Sequence, residues 1–315
     1  MSEEIPNIFV TEVQWALEHQ RIMGIREAVF IQEQQVPEEE ELDDQDALPA
    51  TRHFLLTAGD RAIGYARLQL NGQIGRMAIV RDARKSGYGA RLLAEVMRAA
   101  LQELRDDIFL HAQEHAIPFY QKMGFETDGD VFYEAGISHK MMRLALSRET
   151  LEKIYNDNVY RLNNAAGFVF HMAQMARCAS RKIAIYCNEL EPTVWAQELL
   201  VDAISSFARN EINSTVKILI ADSRGLQSGS HPLVRLCQRL SSSIEIRVLN
   251  EDAEAPKHAF FTADSRQLVL FNDETTYQGF ANYIAPAESQ HELDTFDRLW
   301  DYGSAQDPNL AQIVL

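Results

Sequence analysis

The spacing of apolar residues changes along the chain, and the elements it predicts change with it. Residues 15–34, WALEHQRIMGIREAVFIQEQ, repeat apolar positions at helical spacing. HFLLTA (53–58) and AIGYARLQL (62–70) read as strands joined by a turn at Gly59-Asp60. IGRMAIV (74–80) predicts the next strand and RLLAEVMRAAL (91–101) the helix after it. IFLHAQ (108–113) reads as a strand, and AIPFYQKMG (116–124) as a short helix closed by Gly124 in a left-handed cap. HKMMRLAL (139–146) is the last strand of this half.

A long helical pattern then runs over 147–179, and strands and helices alternate beyond it. Strands are predicted at 182–187, 216–221, 244–249, 259–263 and 267–272, and helices at 194–210, 232–240 and 289–302. The reading is two α/β domains, 1–147 and 148–315, the second opening on a helical connector.

A length of 315 residues fits two domains. No stretch approaches the roughly 20 apolar residues of a membrane span. The acidic N-terminus, MSEEIPNIFV, does not read as a signal peptide. A net charge of −16 argues against a nucleic-acid partner. Cys178, Cys187 and Cys237 have no metal-type spacing, so the expectation is a cytoplasmic protein with no metal and no membrane partner.

The candidate chemistry starts at RDARKSGYGARLL (81–93). A strand, a pair of glycines and a helix start together present free backbone N–H groups to an anion. Arg84 and Lys85 add positive charge, and Gly87 and Gly89 allow close approach to the backbone. Lys85 precedes the glycines, so this is no Walker loop; the third glycine of a dinucleotide fingerprint is missing.

RKSGYGA (84–90) matches the Arg/Gln-x-x-Gly-x-Gly/Ala loop of the GNAT superfamily of acyl-CoA-dependent N-acyltransferases. LHAQEHAIPFYQKMGF (110–125) resembles the second element of that superfamily. The whole of 10–146 is similar to its bacterial ElaA-like branch, with IREAVFIQEQQVPEEEELDDQDA and DVFYEAGISHKMMRL as the ends of the pattern. The resemblance implies a mixed, splayed central sheet with flanking helices, and an N-acetyltransferase using acetyl-CoA and an amine acceptor. The backbone of Met77, Ala78, Ile79 and Val80 would pair with pantetheine and polarise the thioester carbonyl. The loop Arg84, Lys85, Ser86, Gly87, Tyr88, Gly89 and Ala90 would hold the pyrophosphate. Tyr120 stands where such enzymes often place the acid that protonates the departing thiolate. Gln113 replaces an asparagine common among relatives and would bond pantetheine.

An alkylammonium must lose a proton before attack, so a base or water relay is needed. Glu33, His53, Glu114 and His115 are the candidates, with Glu114 and His115 nearest the splay. The acidic run 38–46 reads as solvated surface, with a sharper alternative in which Glu38 to Glu41 attract a cationic acceptor.

Residues 180–302 more distantly resemble one half of a phospholipase-D-like fold. That family carries His-x-Lys-x-x-x-x-Asp, and PKHAFFTADSRQLVLFN (256–272) does not restore it. With Asp264 as the aspartate, Lys257 and Ala259 stand at the histidine and lysine places; with His258 as the histidine, Phe260 and Ser265 replace the other two. The expectation is a non-catalytic domain for ligand binding or homodimer formation, with His231 a helix-start residue. The rival to the enzyme is a module that senses acyl-CoA without turnover; a phosphodiesterase in the second half lacks its motif residues.

Overall fold

Apolar runs shorter than ten residues, punctuated by turn residues, give strands rather than long helices, and fifteen strands form among the described residues of the computed structural model. The structure describes residues 8–103, 108–155, 159–210, 214–226, 231–250 and 253–310. The chain divides into two units, Met1–Ile154 and Tyr155–Leu315.

In the first unit the strands are β1 (Ile8–Val13), β2 (Arg52–Ala58), β3 (Arg61–Leu68), β4 (Gln73–Ile79), β5 (Phe109–Gln113), β6 (Phe125–Glu134) and β7 (Ile137–Leu144). The helices are α1 (Trp15–Arg26), α2 (Glu38–Glu41), α3 (Tyr88–Gln102), α4 (Ile117–Lys122) and α5 (Arg148–Ile154). The sheet order is β1-β2-β3-β4-β5-β7-β6. Among the described residues of this unit only β4 and β5 run parallel, and α3 is their crossover. Gly59, at φ 57°, makes the predicted turn between β2 and β3, and Gly124, at φ 96°, closes α4. Ile22, Ile25 and Val29 pack on Leu55, Tyr65 and Ala78 of the sheet. On α3 the buried Leu92, Leu93, Val96, Met97 and Ala100 recur every three or four residues.

The predicted helix over 15–34 forms with a change of winding. It is α-helical to Arg26 and π-helical over Glu27–Glu33, a local widening typical of functional sites.

The second unit has strands β8 (Tyr160–Leu162), β9 (Lys182–Cys187), β10 (Thr215–Ile220), β11 (Ile244–Leu249), β12 (Ala259–Ala263), β13 (Gln267–Asp273), β14 (Gln278–Asn282) and β15 (Gly303–Ser304). Its helices are α6 (Ala165–Cys178), α7 (Pro192–Trp195), α8 (Glu198–Asn210), α9 (Pro232–Arg239) and α10 (Pro286–Trp300). The sheet order is β15-β11-β10-β9-β12-β13-β14-β8, with β9, β10 and β11 parallel and the remaining pairs antiparallel. Phe260, Leu268, Phe296 and Trp300 belong to one buried cluster of this unit. The continuous helix expected over 147–179 is corrected: Tyr160–Leu162 leave it to add a strand to β14, and 156–158 lie outside the described residues. No helix among the described residues is long and apolar enough to cross a membrane.

Candidate active site

The parallel pairing of β4 and β5 lasts two residues, Gln73 with Phe109 and Ile74 with Leu110. Beyond it the strands part, so Gly75–Ile79 face the gap with no strand partner on the β5 side. A register shift against β3 places Arg76 and Met77 opposite Ala66 alone, and Arg76 takes φ 51°, a conformation disfavoured for a side chain of this kind. A bulge of this kind bends the strand that carries it and increases its local twist. Val80 has its N–H on Ile63 O at 3.0 Å, so it is removed from the backbone donors expected to meet pantetheine.

A cleft of about 510 Å³ opens at this parting, lined by Gln34, Arg76, Met77, His111, Gln113 and Tyr120 among others. Tyr120, on α4, donates its hydroxyl to Met77 Sδ at 3.7 Å. Burial pushes its phenol up to about 12, so it is protonated at neutral pH. Gln113 donates its amide to Gln34 Oε1 at 2.9 Å, tying β5 to the end of the π-helical segment.

The glycine loop sits at the start of α3. Gly87, the residue before the helix, has φ 79° and no side chain caps the first turn, which also carries no acidic residue. A Cβ on Gly87 meets nothing within 4 Å, so glycine is needed there for conformation. Gly89 has an ordinary φ, and a Cβ there makes only a normal contact, 3.5 Å from Phe119. Its smallness is thus not demanded by the protein's own packing. Lys85 is exposed at φ 65°, and Ser86 is exposed beside it. Arg84 is turned away from the helix start: its Nη atoms bond both oxygens of Glu33 at 2.6 and 2.8 Å, and its Nε bonds Ile79 O at 2.9 Å. It braces the loop.

The candidate bases separate. The hydrogen bonds from Arg84 hold the Glu33 carboxyl below its usual range, so it is a poor proton acceptor. His53 is buried, with Nδ1 on Tyr65 Oη at 2.8 Å and Nε2 on Asp46 O at 3.0 Å. Both ring nitrogens are occupied and burial lowers its pKa. Glu114 is exposed and accepts from Ser138 Oγ at 2.6 Å. His115 is exposed and lines the cleft. A fifth group, missed in the sequence, also lines it: His111 on β5, with Nδ1 2.8 Å from Glu134 Oε1.

The acidic run is not one solvated face. Glu38 and Glu39 are exposed, but Glu41 and Asp46 are buried around Arg26, which is itself fully buried. Arg26 meets Glu41 Oε1 and Asp46 Oδ2 at 2.6 Å each. Arg67 meets Asp46 Oδ1 at 2.7 Å and Asp43 Oδ2 at 2.6 Å, and Arg76 meets Glu41 Oε2 and Asp43 Oδ2 at 3.1 Å. Burial opposes the charge on Asp43, and Arg67 and Arg76 outweigh it, holding its carboxyl below the usual range. On Glu41 burial wins over the arginines and the pKa is raised. Three guanidinium groups against three carboxylates leave this network electrically balanced, so Glu41 is not free to attract an acceptor.

In the second unit, Asp264 accepts from the backbone N–H groups of Ser180, Arg181 and Lys182 at 2.7–3.1 Å, a turn-fastening role. His258 Nε2 lies 2.9 Å from Glu292 Oε2. His231 caps α9 by accepting the Leu233 N–H at 3.2 Å, as expected for a helix-start residue. Among the described residues no group of three or more His, Cys, Asp or Glu side chains is placed to hold a metal ion.

Two family models match the chain. One, described as an acetyltransferase (GNAT) domain, matches residues 17–146; the other, a domain of unknown function (DUF7931), matches residues 164–313. The UPF0039 protein C11D3.02c of Schizosaccharomyces pombe is 35% identical over 130 residues, 39% of this chain and 84% of that protein. The uncharacterized N-acetyltransferase YjcF of Bacillus subtilis is 31% identical over 122 residues, 38% of this chain and 86% of that protein. The crystal structure of Escherichia coli ElaA aligns at 26% identity and a TM-score of 0.41, over 44% of this chain and 99% of that one. Through its first domain the chain belongs to the GNAT acetyltransferase family.

Proposed function

We propose that the first domain moves an acetyl group from acetyl-CoA to a primary amine by direct attack, with no acyl-enzyme. The observation that carries this reading is the parting of β4 from β5 after Ile74 and Leu110, with the Tyr120 hydroxyl held at its edge against Met77. Met77 and Ile79 would present the strand to pantetheine, and the Ile79 N–H, which alternates with the β3-facing N–H groups of Ala78 and Val80, would polarise the thioester carbonyl. Gln113 would add a side-chain amide. The uncapped start of α3, with Ser86, Gly87, Tyr88, Gly89 and Ala90, would receive the pyrophosphate on backbone N–H groups and the helix dipole, and Lys85 would add a charge. Arg84 braces this cradle through Glu33. Tyr120, protonated at neutral pH, would give its proton to the departing sulfur.

The second domain is proposed as a non-catalytic relative of one phospholipase-D-like half, serving self-association or ligand binding. Asp264 is committed to backbone N–H groups, and Phe260 is buried where a lysine would be needed.

Tyr120→Phe tests the enzyme reading. It should slow acetyl transfer about 10²-fold or more while acetyl-CoA affinity holds. Equal turnover by both proteins would refute the role of Tyr120. Binding without turnover by the wild type would favour a sensing module.

A further inference from the structure

The donor side of the cleft has an acid in Tyr120; the acceptor side needs a base. We propose that His111, backed by Glu134, is the general base that takes the proton from the acceptor ammonium, an assignment that rests on the acetyltransferase reading. His111 and Gln113 stand two apart on β5 and therefore share one face of the strand. Both line the cleft that also holds Met77 and Tyr120. The Nδ1 of His111 lies 2.8 Å from Glu134 Oε1, and its ring meets Phe132 edge-on at 4.9 Å. An ionised carboxylate only accepts, so Nδ1 carries the proton, and in the neutral form of the ring Nε2 is the acceptor. Among the described residues Nε2 has no hydrogen-bond partner.

The support behind His111 is built into the sheet. Glu134 ends β6, and the chain reverses through Ala135 and Gly136 at φ 47° and 73° into β7. Two consecutive positive φ values make a tight hairpin, and glycine suits the second while alanine is strained at the first. This turn holds Glu134 at the cleft rim. The hydrogen bond from His111 keeps the Glu134 carboxyl below its usual range, so the partner stays ionised. His115 has no such carboxylate partner among the described residues, and His139 gives its Nδ1 to Ile137 O at 2.9 Å.

The chemistry balances. Nε2 of His111 takes one proton from the ammonium, directly or through one water, and frees the nitrogen lone pair. That pair forms the C–N bond to the thioester carbonyl carbon. The C–S bond breaks with its electrons on sulfur, and Tyr120 supplies the proton that makes the thiol. The acylated nitrogen sheds its second proton, which restores Tyr120, and His111 releases its own to water.

The test uses the full chain with acetyl-CoA and two probe amines. Benzylamine is an ammonium at neutral pH and needs the base; aniline is already neutral and does not. His111→Ala and His111→Gln should slow transfer to benzylamine about 10²–10⁴-fold and leave aniline near the wild-type rate, with Glu134→Gln intermediate. Acetyl-CoA affinity by calorimetry should not move. Equal loss with both amines would mean a structural role and overturn the proposal, as would wild-type rates in the His111 variants or a loss confined to His115→Ala or His139→Ala. A wild type that binds no acetyl-CoA overturns the parent reading, whereas one that transfers acetyl groups indifferently to His111 overturns the base alone. If neither probe is acetylated, nitrogen-resolved NMR of the acetyl-CoA complex decides. Protonated Nδ1 with free Nε2 supports the assignment, and protonated Nε2 overturns it.

Discussion

Arg84 and Glu33 form a two-pronged ion pair, 2.6 and 2.8 Å, between the glycine loop and the π-helical segment. The same guanidinium holds Ile79 O, the last residue of the splayed strand. One side chain thus joins the loop, the strand and a segment next to the cleft. Arg84→Ala should free all three at once. The expected result is a rise in KM for both acetyl-CoA and amine. Stability should change by less than about 1 kcal/mol, because the pair is about one-third exposed. A change in one KM alone would contradict the brace.

The two glycines of the loop make different demands. Gly87→Ala places an L side chain at φ 79° and should cost about 1 kcal/mol of stability. Gly89→Ala meets only Phe119 at 3.5 Å, so the melting temperature should hold while acetyl-CoA affinity falls. Calorimetric titration and thermal melting of both variants check this. Intact affinity in Gly89→Ala would place the pyrophosphate elsewhere.

The buried network under the cleft is structural first. Arg26→Met leaves Glu41 and Asp46 without their main partner and should cost about 3–5 kcal/mol in chemical denaturation. Glu38→Gln and Glu39→Gln, on exposed side chains, should leave stability within about 0.5 kcal/mol. A small effect of Arg26→Met would show that the network relaxes without it.

Glu274 gives the second domain a pH dependence. Burial, with Glu189 and Asp273 nearby, pushes its carboxyl up to about 7 although the Asn188 N–H favours its charge. The folded state therefore binds this proton more tightly than the unfolded chain. Its contribution is full below the unfolded value of 4.5 and is lost as pH rises through about 7, worth up to about 3 kcal/mol. Unfolding followed at pH 5 and pH 8 should show that loss in the wild type and far less of it in Glu274→Gln. The same pH dependence in both would contradict the assignment.

The local features were legible because their causes are local. The turn at Gly59, the cap at Gly124, the strand at FLHAQ and the helix after the glycine loop all follow from a few neighbouring residues. What was not legible depends on partners far along the chain. Glu41 looks like Glu38 in the sequence, yet Arg26, 15 residues earlier, buries it; Arg67 reaches Asp46 across 21 residues. His111 shares a strand face with Gln113, which is a readable signal, but Glu134 arrives 23 residues later through a hairpin. Arg84 reads as a phosphate ligand until Glu33, 51 residues away, claims it. The break in the 147–179 helix has the same origin, since Tyr160–Leu162 are drawn into strand pairing by β14.

Calorimetric titration of the full chain with acetyl-CoA, beside Gly87→Glu, tests the central claim most directly. The added carboxylate faces open space at the start of α3, so it should repel pyrophosphate without displacing a neighbouring side chain. The account predicts tight binding by the wild type and none by a variant whose circular dichroism shows it folded. No binding by the folded wild type, or equal binding by both proteins, would contradict the claim that this loop is the acyl-CoA cradle.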